Sequence, residues 1–349
     1  MSIKVAARGF LQELNMLTHF LSVATAITTV TAQRGRPTNF SELWNITTYP
    51  DAQPANVSQY LNEASHLAGQ DLDDHFQRRC IVSQLYDDIA SYAQAPGFVP
   101  PIEVFDGVYF VGQSAVSAWA IATSKGLVVI DALNNAEEAE QILISGLQAF
   151  GYNGSDIVAV VITHEHFDHY GGALWLQDTY DAPVYASELA WQAMEVADGG
   201  PRRDQVVDDG QTLDFGNFSM QFVATPGHTP GAMSLIFPVQ DHGAKHLAGM
   251  NGGAGIASNT TAKANQVESY AKLASISAEA GVDTLMANHQ TQDRSLTNFD
   301  LLNARECDES GCKQENPYVI GTDAFVRYLQ VQSLCVRVEA ARDGQTLLS

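Results

Sequence analysis

Thr163-His164-Glu165-His166-Phe167-Asp168-His169 places three imidazoles and an aspartate within six residues. The run just before it, Ile157-Val158-Ala159-Val160-Val161-Ile162, is apolar and β-branched and reads as a buried strand. The run just after it, Tyr170-Gly171-Gly172, is a turn signal. Four potential ligands therefore sit on a strand-to-helix loop, where binding residues are commonly placed. Imidazole nitrogen and carboxylate oxygen at this density suit zinc. The chain holds only ten histidines, and three of them are here.

Outward from this loop, the text alternates between short β runs and helical runs. Residues 107–112, 115–122 and 126–130 read as strands, and Ala136–Phe150 as an amphipathic helix. After the histidine loop come a helix over Ala173–Thr179, a strand at Pro183-Val-Tyr-Ala and a helix over Glu188–Val196. Strands are expected at Thr212–Phe215, Phe218–Val223, Ala232–Phe237, Lys245–Ala248 and Thr284–Ala287, and a long helix over Lys263–Ala280. Mixed strands with helices between them imply a layered α/β fold. Residues 33–60 look loop-like and 61–94 helical, with a boundary at Ala95-Pro96-Gly97 and Pro100-Pro101. A last helix, about Thr322 to Arg342, is expected to cap the fold.

Two further histidines follow strands in the same manner. Thr225-Pro-Gly-His228-Thr-Pro-Gly is a turn after the run at 218–223, and Asn288-His289 follows the run at 284–287. Here the sequence resembles the metallo-β-lactamase superfamily. His164, His166, Asp168 and His169 match its His-x-His-x-Asp-His signature, and the Pro-Gly-His-Thr-Pro-Gly turn and the late histidine match as well. Asp131, at the end of Val-Val-Ile, resembles the early aspartate that supports the ligand loop in that family. The resemblance covers roughly residues 102–300.

It implies an α/β fold of four layers, an αββα sandwich with helical N- and C-terminal extensions. The domains would be a signal peptide at 1–32, an N-terminal extension at 33–100, the catalytic domain at 101–300 and a C-terminal extension at 301–349. It implies two zinc ions per chain. His164, His166 and His228 would hold one, and Asp168, His169 and His289 the other. The implied chemistry is attack of a metal-bound hydroxide on a carbonyl carbon, with Asp168 orienting it. Tyr170 is a candidate to hydrogen-bond the developing oxyanion, or packs.

One departure narrows the resemblance. Many branches place a bridging aspartate about twenty residues after the fourth histidine, where this chain reads Ala248-Gly-Met-Asn-Gly-Gly253. Subclass B3-like enzymes also lack it. No cysteine lies between 80 and 307, so the cysteine ligand of the other lactamase subclasses is absent too. The implied function is cleavage of a lactam- or lactone-type acyl bond in a small carbonyl substrate. A thioesterase of polyketide biosynthesis and a non-catalytic metal-binding member of the fold are the alternatives.

The remaining residues near these motifs have plainer readings. Glu165 is expected to be a solvated carboxylate pointing away from the site, and Asn251 part of a tight glycine-rich turn. Met250 and Trp175 read as core or pocket wall, and Trp119 and Trp191 as core. His242 and His246 are expected to be exposed, and His66 and His75 belong to the N-terminal extension.

The charge excludes one class of partner. With 18 basic against 40 acidic residues the formal net charge is −22, which repels phosphate backbones and anionic lipid. Nucleic acid and stable membrane association are not expected. The apolar, uncharged run Leu17–Ala32, preceded by Lys4 and Arg8, reads as a secretory signal with the mature chain starting near Gln33; a cytoplasmic chain starting at Met16 is the alternative. Five Asn-x-Ser/Thr sequons, at Asn45, Asn56, Asn153, Asn217 and Asn259, fit export from a fungus or other eukaryote. The four cysteines allow two disulfides in three connectivities, of which Cys307–Cys312 with Cys80–Cys335 is one; four free buried thiols is the other reading.

Overall fold

The computed structural model describes residues 43–86, 95–308 and 311–347. The expected signal segment at 1–32 lies outside them. Seven strands form the first sheet in sequential order: β1 (Ile102–Phe105), β2 (Val108–Phe110), β3 (Trp119–Thr123), β4 (Gly126–Ile130), β5 (Ile157–Val161), β6 (Val184–Ser187) and β7 (Gln205–Val207). The first four pair antiparallel, and β4 to β7 run parallel. Parallel pairs need crossovers, and helices supply them, among them α2 (Phe167–Tyr170), α3 (Ala173–Tyr180) and α4 (Glu188–Met194). The second sheet has the order β12-β11-β10-β9-β8, made of β8 (Thr212–Asp214), β9 (Ser219–Ala224), β10 (Met233–Asp241), β11 (Ala244–Asn251) and β12 (Thr284–Ala287).

The buried pattern shows four layers. One core cluster lies between the sheets and takes Phe110, Trp119, Val128 and Val161 from the first and Phe222, Leu235, Phe237, Met250 and Met286 from the second. A second cluster fills the other face of the first sheet, where Val129, Val160 and Val184 meet Leu147, Leu176 and Trp191 from the crossover helices. Helices also cover the second sheet: α5 (Thr260–Ala280) packs on α7 (Thr322–Arg342), and Phe325 of α7 reaches Gly249 of β11. The αββα sandwich is thus present. The strands β4 and β5 read as continuous apolar runs because both of their faces are covered.

Several expectations are corrected. The stretch 54–60, expected as loop, opens a helix, α1 (Pro54–Ala68). Proline starts it without cost, because the first-turn N–H groups have no helical partner anyway. The strand expected at 115–122 begins only at Trp119; Ala115–Ser117 form a loop held by Ser117 N–H to Asn288 O (2.9 Å). β1, β7, the helix α6 (Ser295–Asn303) and the short pair β13 (Cys307–Asp308) and β14 (Gly311–Cys312) were not anticipated. Each is too short or too polar for its period to stand out.

The helical stretch 73–85 is continuous in direction but irregular: Asp73–Phe76, a π-helical Gln77–Val82, then Ser83–Leu85. It lies against α7 and is tied to it covalently. Of the three connectivities open to the four cysteines, the chain forms Cys80–Cys335 and Cys307–Cys312. α7 also meets α1 and α5, and the fully buried Lys263 of α5 is paired with Asp343 (2.8 Å) and Glu339 (3.3 Å). No helix among the described residues is long and apolar enough to cross a membrane.

Candidate metal centre

The strands β5, β9 and β12 end next to loops that carry the ligand candidates: the histidine loop after β5, His228 after β9 and His289 after β12. β4 ends next to Asp131, which supports them. The loops are stitched across the two sheets by Met233 N–H to Thr163 O (2.8 Å) and by Trp119 Nε1–H to Ala287 O (2.9 Å). Residues as far apart in sequence as His164 and His289 therefore converge.

They form two triads. The ligand atoms of His164, His166 and His228 lie within 4.8 Å of one another, and so do those of Asp168, His169 and His289. The triads adjoin, with the His164 and His169 rings 4.0 Å apart. His169 Nε2 stands 3.1 Å from His289 Nε2 and 3.4 Å from Asp168 Oδ2.

Hydrogen bonding decides which nitrogen each ring presents. His169 Nδ1 lies 2.7 Å from Asp131 Oδ2, His228 Nδ1 2.9 Å from Gly255 O, and His289 Nδ1 3.0 Å from Ala115 O. These oxygens only accept, so the three Nδ1 atoms carry the protons and the Nε2 lone pairs point into the site. His164 follows by elimination. The Thr163 hydroxyl donates to Asp131 Oδ2 (2.9 Å) and accepts from Asn288 Nδ2 (2.9 Å), so His164 Nδ1–H donates to it at 3.2 Å. His164 Nε2 is left buried with no partner in the protein. Imidazoles anchored through Nδ1, with Nε2 turned inward, are what metal ligation requires. The donor set, five imidazoles and one carboxylate in two groups of three, fits zinc with an open position at each group.

For His164, His228 and His289 the electrostatics agree with that fit. Burial pushes the His164, His228 and His289 rings down, to about 3 for His228 and about 4 for His289, so they are neutral and ready to ligate. Burial opposes protonation of His169 too, but the Asp131 carboxylate against its Nδ1 raises it to about 9. Burial would raise Asp168, yet its contacts with His169 and His289 hold it far below the usual carboxylate range. Asp131 is itself fully buried, sits at a left-handed φ of 61°, and accepts from Thr163 N–H (2.8 Å) besides the two contacts already named. The early aspartate therefore reaches the site only through Thr163 and His169.

Several residues differ from their sequence readings. Glu165 is not a solvated carboxylate: it accepts from the Thr229 hydroxyl (2.8 Å) and from Gly231 N–H (2.9 Å), and so clamps the histidine loop to the His228 turn. Tyr170, a candidate catalytic residue, is buried among Leu133, Ala173 and Leu176 on the helix-covered face of the first sheet. It does not line the cavity over the triads. Met250 is core, while Trp175 packs edge-on against Tyr180, also away from that cavity. Trp119 and Trp191 are fully buried as expected. Asn251 ends β11 and bonds Ser234, Gly253 and Tyr270 rather than facing the triads. The glycines after it are needed for close approach: a Cβ on Gly255 would fall 2.2 Å from His228 Cε1. His246 pairs with Asp283 at 2.7 Å rather than standing free.

A cavity of about 260 Å³ opens over His166, Asp168, His228 and His289. Its far wall was not foreseen. It comes from His75, Arg78, Arg79, Val82 and Ser83 of the π-helical stretch and its flanks, with Gln332 of α7. No local pattern signals this wall, because it is built by packing between segments more than 80 residues apart.

Comparison with known proteins agrees with this architecture. Residues 111–242 match the model of the metallo-beta-lactamase superfamily. A hydroxyacylglutathione hydrolase of Acidiphilium cryptum is 30% identical over 120 residues, 34% of this chain and 44% of that protein. A probable polyketide biosynthesis zinc-dependent hydrolase of Bacillus velezensis is 33% identical over 87 residues, 25% of this chain and 36% of that protein. These matches span less than two thirds of the relatives' own lengths. Among solved structures, a subclass B3 metallo-beta-lactamase of Bradyrhizobium japonicum superposes with a TM-score of 0.58 at 21% identity, over 69% of this chain and 92% of that one. At that identity the likeness speaks for the fold alone.

Proposed function

We propose that the chain is a zinc-dependent hydrolase of the metallo-β-lactamase superfamily, with two zinc ions per chain, acting on a lactam- or lactone-type acyl bond. The observation that carries the reading is the pair of adjoining triads, with four imidazoles anchored through Nδ1, which leaves Nε2 as the ligating atom of each. His164, His166 and His228 would hold one ion, and Asp168, His169 and His289 the other. Zinc in such a place would supply Lewis acidity and lower the pKa of water to about 7.

The protein's own residues do the rest. Asp131 and Thr163 lock the His169 and His164 rings, so no reorganisation is needed when substrate arrives. Asp168 stays ionised and faces the cavity, where its carboxylate can orient the attacking water through a hydrogen bond. Glu165 holds the two ligand loops at fixed separation. The absence of a carboxylate across 248–253 keeps the reading with the B3-like branch. Small carbonyl compounds suit a cavity of this size, below the usual range for drug-sized ligands.

We also propose that the chain works in an oxidising compartment. Two disulfides support this, as do the exposed positions of the sequon residues Asn56, Asn153, Asn217 and Asn259.

The test is a panel of nitrocefin, simple lactones and thioesters assayed with and without a chelator. Hydrolysis of lactam or lactone that stops on chelation and returns with zinc is expected. Activity confined to thioesters would shift the reading to the thioesterase branch, and activity that survives chelation would contradict a metal centre.

A further inference from the structure

The cavity wall opposite the triads is cationic, in a chain that is strongly acidic elsewhere. Arg78 and Arg79 are consecutive, and both line the cavity. A regular helix turns successive side chains about 100° apart; the π-helical geometry of Gln77–Val82 changes that spacing locally, and such single-turn insertions recur at functional sites. Asp168 is the sole carboxylate among the lining residues.

Among the described residues, no carboxylate pairs with Arg78 or Arg79, although Arg202, Arg203, Arg294, Arg305, Arg327 and Arg342 all have such partners. Arg79 is 6% exposed. Its guanidinium reaches the Ala254 carbonyl and the Tyr270 hydroxyl, and its Nε is buried with no partner. Thr291 Oγ1, a hydroxyl that can donate from another side of the same cavity, is also buried and unpartnered among the described residues. A buried arginine almost always has an anion, because its charge, taken out of water, is costly to leave uncompensated. The position is fixed covalently: Cys80, the residue after Arg79, is bonded to Cys335 of α7, one turn from Gln332.

We infer that Arg78 and Arg79 form a binding site for an oxyanion of the substrate, a carboxylate or phosphate set beside the carbonyl that lies at His166, Asp168 and His228. Guanidinium donors match the planar or tetrahedral array of such oxygens, and a point charge would not. The inference rests on the hydrolase reading for what the anion belongs to, but not for its existence. A carboxylate would sit on the acyl ring of a lactam or lactone acid. A phosphate would sit on the leaving arm of a phosphopantetheine thioester.

Two measurements test it on the full chain. The first uses metal-free protein, so that zinc cannot hold the anion, and follows binding of phenylacetate, phenyl phosphate and neutral phenylacetamide by calorimetry. At least one anion is expected to bind roughly tenfold tighter than the amide, with Arg78→Gln and Arg79→Gln each losing about tenfold and Arg79→Lys losing less. The tighter of the two anions identifies its source. Equal binding of the neutral amide, or anion binding that survives both glutamine substitutions, would overturn the inference. Arg78→Gln keeps the test decisive should Arg79→Gln, which also releases Ala254, fail to fold.

The second uses zinc-loaded protein and compares benzylpenicillin with its methyl ester, and a phosphopantetheine thioester with the matching N-acetylcysteamine thioester. A KM about tenfold lower for one charged member is expected, with the ratio approaching one in Arg78→Gln. Hydrolysis of charged and neutral members with equal KM would contradict the anion site alone. No hydrolysis of any of them, with arginine-dependent anion binding intact, would contradict the hydrolase reading and leave the anion site standing.

Discussion

Glu165 lies between two ligand candidates in sequence, yet both of its oxygens are taken by the neighbouring turn, from Thr229 and Gly231. Residues that orient ligands without binding metal commonly affect metal affinity by 10–100-fold. Glu165→Ala is therefore expected to weaken zinc binding at His164, His166 and His228 by roughly tenfold and to cost about 2 kcal/mol of stability. Competition with a fluorescent chelator and denaturant titration read the two effects; unchanged zinc affinity would show that Glu165 does not position the loops. His75 allows a test by pH. Burial, reinforced by Arg294 and Arg78, lowers its pKa from 6.5 to about 4. Between those values the unfolded chain binds a proton that the folded chain refuses, so stability is lost as pH falls through that window, by about 3 kcal/mol in all. His75→Gln in the zinc-loaded protein should flatten the stability curve between pH 6.5 and 4; a parallel curve would mean that His75 protonates freely in the fold.

At the scale of elements, the parts that sequence revealed are those whose chemistry is local. The ligand loop at 164–169 was legible because metal ligation needs particular atoms at fixed spacing, and β5 before it because both its faces are buried. The strands β4 and β12 and the helix α7 appeared at or within a residue or two of their expected positions for the same reason. What was hidden depends on contacts across the chain. The Tyr170 ring turns into the core although it adjoins His169, because its helix offers that face to the first sheet. The Ala115 carbonyl that anchors His289 belongs to a loop that a β-branched pattern had suggested was strand. Arg78 and Arg79 gave no sign of their role, since only packing of the π-helical stretch against α7 brings them over the triads. The bond that fixes this stretch is open to test. Cys80–Cys335 closes a loop of 255 residues, and replacing both by serine is expected to cost on the order of 2–5 kcal/mol. KM should rise more than kcat falls, because the wall moves while the triads stay; equal losses in both would place the disulfide's effect on the whole fold.

At the scale of the molecule, the αββα sandwich sets all three ligand-bearing loops beside one cavity, and helices from before and after the sandwich cover that cavity. The net charge is −22, whereas the cavity carries two arginines against one carboxylate. This contrast favours small anionic substrates over polymers with phosphate backbones, which the outer surface repels. The proposed export makes a separate forecast for the same surface: in a glycosylating host, endoglycosidase treatment should lower the mass of the protein, and Asn153→Gln and Asn217→Gln should each remove one glycan. An unshifted mass would contradict passage through a secretory route. The central claim, a pair of metals held by six side chains, is tested most directly by elemental analysis of the protein after stripping with chelator and reconstitution with zinc, alongside the His289→Ala variant. The account predicts two zinc ions per chain, falling to one in the variant with loss of nearly all turnover. No bound zinc in the native chain, or two in the variant with turnover unchanged, would contradict it.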